Sequence, residues 1–268
     1  MLNLLKPLKY VTLLLCSYLS LPLSALTVNG LELEVVQSGS GDVVLLFESG
    51  FGLGPEVWQQ VVAGLPNGVV AVRYARAGTG KSEDRANTSS ISEHLADLTV
   101  LADTFSKNKK LILIGHSYGG LLATEYARRY ADRLSGLLLI DPSVLQQRRW
   151  FKAVAAQAVM EEDKLLSSML PPRMLMQFEK LNLELDEVST EITPLPSDLN
   201  VVLLTSTRIE LKPIAFIETE AGKVQWLKLH EALFSGVKNG SHQRFDQLGH
   251  NILQEDPVLV LHALKTLL

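Results

Sequence analysis

From Leu111 to Tyr130 the chain reads LILIGHSYGGLLATEYARRY, and near its centre stands Gly115-His116-Ser117-Tyr118-Gly119, a G-x-S-x-G pattern. An apolar run precedes it and a helix-period segment follows, so the pattern falls on a strand-to-helix turn. Such a turn holds the serine on a strained backbone with its hydroxyl exposed. Only residues without bulky side chains fit two positions before and after it. The chemistry expected there is nucleophilic attack by Ser117, which requires a base to take the hydroxyl proton and a third group to orient that base.

Six histidines are available as the base. His94, His230 and His262 fall in helical contexts, His116 lies inside the turn, and His242 lies in or beside a strand, HQRFDQ. His250, in DQLGHNILQEDP, sits in a loop after that strand and just before a helix starting near Pro257. It is the expected base, the alternative being a loop histidine satisfied by its neighbours. Two acids keep the chain order Ser, acid, His: Asp141, at the end of LLLID, and Glu210, after VVLLT. Asp141 is preferred because Pro142 fixes the strand exit. Glu210 stays as the alternative acid, and a loop cap as the alternative role of Asp141. The glycine-rich turn in LLFESGFGLGPEVW suits an oxyanion hole built from the backbone N–H groups of Phe51 and Tyr118. As a dinucleotide loop it fails, since the third glycine of G-x-G-x-x-G falls on Pro55.

A competing motif is Ala75-Arg76-Ala77-Gly78-Thr79-Gly80-Lys81-Ser82, one residue away from the phosphate-binding G-x-x-x-x-G-K-[ST]. A helix should begin at its Lys-Ser pair, yet SEDRANTSS has no apolar face and sets Glu83 and Asp84 where phosphate charge would gather. Nucleotide hydrolysis is the weaker reading.

These residues need elements to position them. The runs VVLLFE, VVAVRY, LILIG, LLLID and VVLLT are continuous and apolar, as strands buried on both faces are, and LELEVVQ alternates like a half-exposed strand. Helix-period segments separate them, one opened by Pro55, one by a Ser90/Glu93 capping box, and one over Leu121 to Tyr130. The expected fold is α/β: a mostly parallel central sheet with helices on both faces. Residues 142–196 interrupt the rhythm and hold Trp150, Phe151, Phe178 and four methionines, Met160, Met169, Met174 and Met176. A helical cap over an apolar pocket is expected there, the plainer account being that these residues fill the cap's own core.

The 268 residues are 47% hydrophobic, enough for a substantial core, and a net charge of -4 without basic runs argues against nucleic acid as a partner. At the N-terminus Lys6 and Lys9 precede an uncharged, leucine-rich run. Residues 1–25 are read as a signal peptide or an uncleaved signal anchor, the membrane segment being 10–28, with an exported, periplasmic or secreted body over 26–268. Cys16, the single cysteine, lies within this segment and lacks the small residue expected before a lipidated cysteine. No disulfide or thiol chemistry is expected of the rest.

Taken together, residues from about Leu31 to Leu268 resemble an α/β-hydrolase fold protein with a cap. The resemblance lies in the turn Ser49-Gly50-Phe51, in Tyr74 to Ser82 against a Y-D-R-x-G-x-G-x-S segment, and in Gly115 to Gly120 against G-H-S-x-G-G. Leu137 to Pro142 matches L-x-L-x-D-P, and Gly249-His250 matches a G-H before the last helix. Ala75 stands where aspartate is usual, which bears on the rigidity of that loop. In some subgroups the acid follows the sixth strand, so the resemblance implies a triad of Ser117, Asp141 and His250. It also implies hydrolysis of a carboxylic ester or related acyl bond in a small apolar substrate, with no cofactor and no metal. A catalytically silent member that binds a hydrophobic ligand under its cap is the alternative.

Overall fold

The computed structural model describes residues 24–268, and each apolar run is a strand within them. The strands are β1 (Ser24–Val28), β2 (Leu31–Gly39), β3 (Gly41–Glu48), β4 (Gly68–Tyr74), β5 (Lys110–His116), β6 (Gly136–Ile140), β7 (Asn200–Ser206) and β8 (Asn239–Phe245). They form one sheet in the order β1-β2-β4-β3-β5-β6-β7-β8. Pairing is parallel from β4 through β8, and antiparallel only where β2 joins β1 and β4.

Period-two alternation splits the strand side chains between two cores. Val44, Leu46, Leu113 and Leu139 face α2 (Ile91–Ser106), α3 (Tyr118–Arg129) and α6 (Glu220–Phe234). Leu45, Phe47, Ile114 and Ile140 face α1 (Gln59–Ala63), α7 (Ile252–Glu255) and α8 (Pro257–Lys265). Both faces are covered, which is why these runs carry no polar alternation. The capping box forms as expected: Ser90 Oγ accepts from the Glu93 N–H at 3.2 Å, and Glu93 Oε2 accepts from the Ser90 N–H at 2.7 Å.

Between β6 and β7 lie α4 (Gln147–Met169), kinked at Ala155, and α5 (Pro172–Glu187). They cover the carboxyl end of the sheet. Of the four methionines in this interval, Met160, Met169 and Met176 are 53%, 66% and 51% exposed. Phe151, Val159, Phe178 and Leu185 take the inward positions instead. Arg148 pairs with Asp163 of its own helix at 2.6 Å and ties α4 to α5 through Asp186 at 3.0 Å.

Two further expectations change. Ser24–Val28 pair with β2, so the membrane segment expected over 10–28 loses its last five residues to the sheet, and a cut after Ala25 would fall inside β1. The rest of that segment, with Cys16, lies outside the described residues. The motif around Lys81 is a closed turn and not a phosphate cradle: Ser82 Oγ donates to the Ala75 carbonyl at 2.7 Å, and Glu34 Oε2 accepts from the Lys81 N–H at 2.7 Å. The next helix opens only at Ile91. Thr79 Oγ1 also donates to the Arg76 carbonyl at 2.8 Å, so the loop is ordered without an aspartate at position 75.

Candidate active site

β5 runs straight into α3 through Ser117, whose φ of 52° and ψ of -122° lie where side chains are strained. Glycines allow this bend. A Cβ on Gly115 would come within 2.6 Å of the Gly119 carbonyl, and one on Gly119 would collide with the backbone carbonyl of Glu48. Gly119→Ala should therefore cost roughly 2–4 kcal/mol, because backbone on both sides must move. The measurement is a thermal melt, and a melting temperature within a degree of the parent would contradict the packing described.

The bend aims Ser117 at the C-terminal loop. His250 Nε2 lies 2.8 Å from Ser117 Oγ, and His250 Nδ1 lies 2.6 Å from Asp141 Oδ2. Asp141 is fully buried at the end of β6. Its second oxygen accepts from the Ser206 N–H and from the Trp226 indole N–H, each at 2.8 Å. Burial works against ionisation of Asp141, but the His250 hydrogen bond and the nearby His250, His230 and Lys223 charges outweigh it and hold the carboxyl at about 2. An ionised Asp141 can only accept, so His250 carries its proton on Nδ1 and offers Nε2 as an acceptor to the serine hydroxyl. Glu210, the alternative acid, is engaged elsewhere: Arg208 Nε donates to it at 2.7 Å.

Spacing alone does not reveal several supports of this chain. His116 is fully buried and donates from Nε2 to the His250 carbonyl at 3.0 Å, anchoring the loop that carries His250. A second row, buried at His230 and Thr205 and half-buried at His242, runs beside it. His242 Nε2 and His230 Nδ1 lie 2.8 Å and 2.7 Å from Thr205 Oγ1, and His230 Nε2 donates to the Pro142 carbonyl at 2.8 Å, next to Asp141. Trp226 sits on α6, far along the chain, where helical periodicity reads it as ordinary core.

These histidines make the fold acid-sensitive. Burial lowers His116 from 6.5 to about 3, and His230 and His242 to about 4. Below 6.5 the unfolded chain binds protons that the folded chain refuses, so their stabilisation is complete above that pH and is lost as pH falls to about 4 for His230 and His242 and to about 3 for His116. Asp141 contributes with a lower window, lost between 3.8 and about 2. The expected result is a melting temperature that declines steadily from pH 7 to pH 4.5. His242→Gln should flatten that slope, and a slope unchanged by it would contradict the assignment.

The two expected oxyanion donors come from separate elements. Tyr118 is the first residue of α3, so its N–H has no helical partner, and Phe51 follows the end of β3 in a turn closed by the Leu53 N–H to the Gly50 carbonyl at 3.3 Å. Their rings meet edge to face at 6.3 Å. Together with Ser117 and His250 they line a cavity of about 290 Å³. Its upper wall comes from the cap, chiefly Phe151, Leu166, Phe178 and Leu181, interrupted by the polar side chains of Gln147, Arg148, Glu162, Asp163 and Asn182, among others.

The comparisons with known proteins agree with this architecture. A model of the alpha/beta hydrolase family matches residues 43–263. The protein YqjL of Bacillus subtilis strain 168 is 22% identical over 228 residues, spanning 84% of this chain and 83% of its own length. A Vigna radiata epoxide hydrolase mutant superposes with a TM-score of 0.66 at 16% identity, covering 91% of this chain and 96% of that one. A thermophilic esterase from Thermogutta terrifontis superposes with a TM-score of 0.56 at 19% identity, covering 92% and 97%. The matched span runs from β3 to α8 and takes in Ser117, Asp141 and His250. The chain belongs to the alpha/beta hydrolase family.

Proposed function

We propose that the protein is a serine hydrolase that cleaves a carboxylic ester, or a related acyl bond, of a small and largely apolar molecule through an acyl-enzyme. The observation that carries this reading is the continuous chain from Ser117 Oγ to His250 Nε2 and from His250 Nδ1 to Asp141, at 2.8 Å and 2.6 Å. In this reading Ser117 attacks the carbonyl carbon while His250 takes the hydroxyl proton, and Asp141 stabilises the imidazolium that results. His250 then gives the proton to the departing alcohol. Water, deprotonated by the same imidazole, attacks the acyl-serine, and the serine leaves with the proton returned to it. The Phe51 and Tyr118 N–H groups receive the negative oxygen in both half-reactions.

The similar structures include an epoxide hydrolase and an esterase, and the residue at the elbow favours the second kind of chemistry. A hydroxyl that opens an epoxide becomes an ether, which water cannot cleave under these conditions, so the protein would turn over once. A hydroxyl that accepts an acyl group becomes an ester, which the same base can hydrolyse. The cavity of about 290 Å³ and its mostly aromatic and aliphatic walls suit a short or medium acyl chain. The test is hydrolysis of nitrophenyl esters from acetate to decanoate, alongside labelling by a fluorophosphonate. Turnover with a chain-length optimum and stoichiometric labelling are expected. Absence of both in folded protein would favour a silent ligand-binding member of the family.

A further inference from the structure

Arg76 lies outside the chain from serine to aspartate, yet it is 3% exposed and directs its guanidinium towards the turn that follows β3. Nη1 donates to the Ser49 carbonyl and Nη2 to the Gly50 carbonyl, each at 2.5 Å. Nη1 also pairs with the fully buried Glu48, whose other oxygen accepts from the Tyr74 hydroxyl. The guanidinium carbon lies 5.1 Å from the centre of the Tyr118 ring, and the Tyr118 hydroxyl lies 2.8 Å from His94 Nδ1. Arg76 thus touches both segments that carry the expected oxyanion donors.

The peptide plane makes this contact consequential. In a planar trans peptide the C=O and the following N–H point in opposite directions. A Gly50 carbonyl held towards Arg76 therefore turns the Phe51 N–H away from the guanidinium, and Phe51 lines the same cavity as Ser117. The competing restraint is weak, because the Leu53 N–H reaches the same carbonyl only at 3.3 Å. Glycine at position 50 leaves the plane free to rotate unless something grips it. Stability alone explains the arrangement poorly, since a buried ion pair is often matched by apolar residues of similar volume.

We infer that Arg76 is a positioning residue that sets the oxyanion hole, by holding the Gly50 carbonyl so that the Phe51 N–H faces the reacting oxygen and by bracing the ring of Tyr118. The inference rests on the serine hydrolase reading. It requires that Arg76 act on the transition state and leave ground-state binding almost untouched.

Arg76→Lys separates these effects. Lysine keeps the charge beside Glu48 but has no planar fork to span two carbonyls or to lie flat on an aromatic ring. The expected result is a folded protein whose kcat on a nitrophenyl ester falls about 30- to 100-fold with KM changed less than about threefold, and whose affinity for a boronic acid transition-state mimic falls by the same factor as kcat. A Glu48→Gln/Arg76→Met double variant removes both buried charges at similar volume and should show the same split. Either variant, folded and retaining parental kcat and boronate affinity, overturns the inference, as does failure of both to fold, which would make the role structural. Should the parent protein itself neither label with a fluorophosphonate nor turn over esters, the serine hydrolase reading fails first and this inference falls with it.

Discussion

Ser117→Ala protein is expected to take up no fluorophosphonate and to hydrolyse nitrophenyl esters roughly 10⁴- to 10⁶-fold more slowly than the parent. The size of the effect follows from the role proposed: without the hydroxyl no acyl-enzyme forms, and what remains is water attacking a bound ester near two N–H donors. Removal of the oxygen should leave the fold intact. Ser117 Oγ has one hydrogen-bond partner among the described residues, His250, and alanine occupies the bend with the same Cβ. The control is the melting temperature, which should move by no more than a few degrees. Residual turnover above about one per cent, with the fold preserved, would show that the nucleophile lies elsewhere.

Asp141→Asn is expected to lower kcat by about 10⁴, and Glu210→Gln to leave it within a few-fold of the parent. The surroundings of Asp141 supply the reason. Its Oδ1 accepts from the Ser206 N–H and the Trp226 indole, so an asparagine must place its own oxygen there. The amide NH₂ then faces His250 Nδ1, which has to accept instead of donate. The imidazole proton moves to Nε2, and the base can no longer take a proton from Ser117. Glu210 makes no such contact and bonds to Arg208. If Glu210→Gln abolished turnover while Asp141→Asn did not, the acid would have to be reassigned. A parallel check is Trp226→Phe, which deletes one of the two donors holding Oδ1 and, combined with Asp141→Asn, should partly relax the orientation of the introduced amide.

The elements that position these groups follow different kinds of rule. Leu111 to Gly115 and Leu137 to Ile140 read as buried strands because both of their faces meet helices, and the glycines around Ser117 read as an elbow because nothing larger fits. β1 escapes such reading. Ser24 to Val28 continues a long uncharged run, and only pairing with Leu31 to Val35 distinguishes an edge strand from the end of an apolar leader. Composition likewise shows that a cap is apolar but not which side of its helices meets the pocket, and three of its methionines stand on the exposed side.

By itself, the order of residues determined the α/β class, the bend at Ser117 and the candidacy of His250, because local backbone sterics and strand burial leave few alternatives at those positions. Tertiary structure alone paired His250 with Asp141 and Arg208 with Glu210, recruited Trp226 and Ser206 to the Asp141 carboxylate, and brought Arg76 against the turn before Phe51. Each of those contacts joins groups from different strands or helices. Its energy depends on distance and direction across the sheet, and no spacing along the chain encodes either.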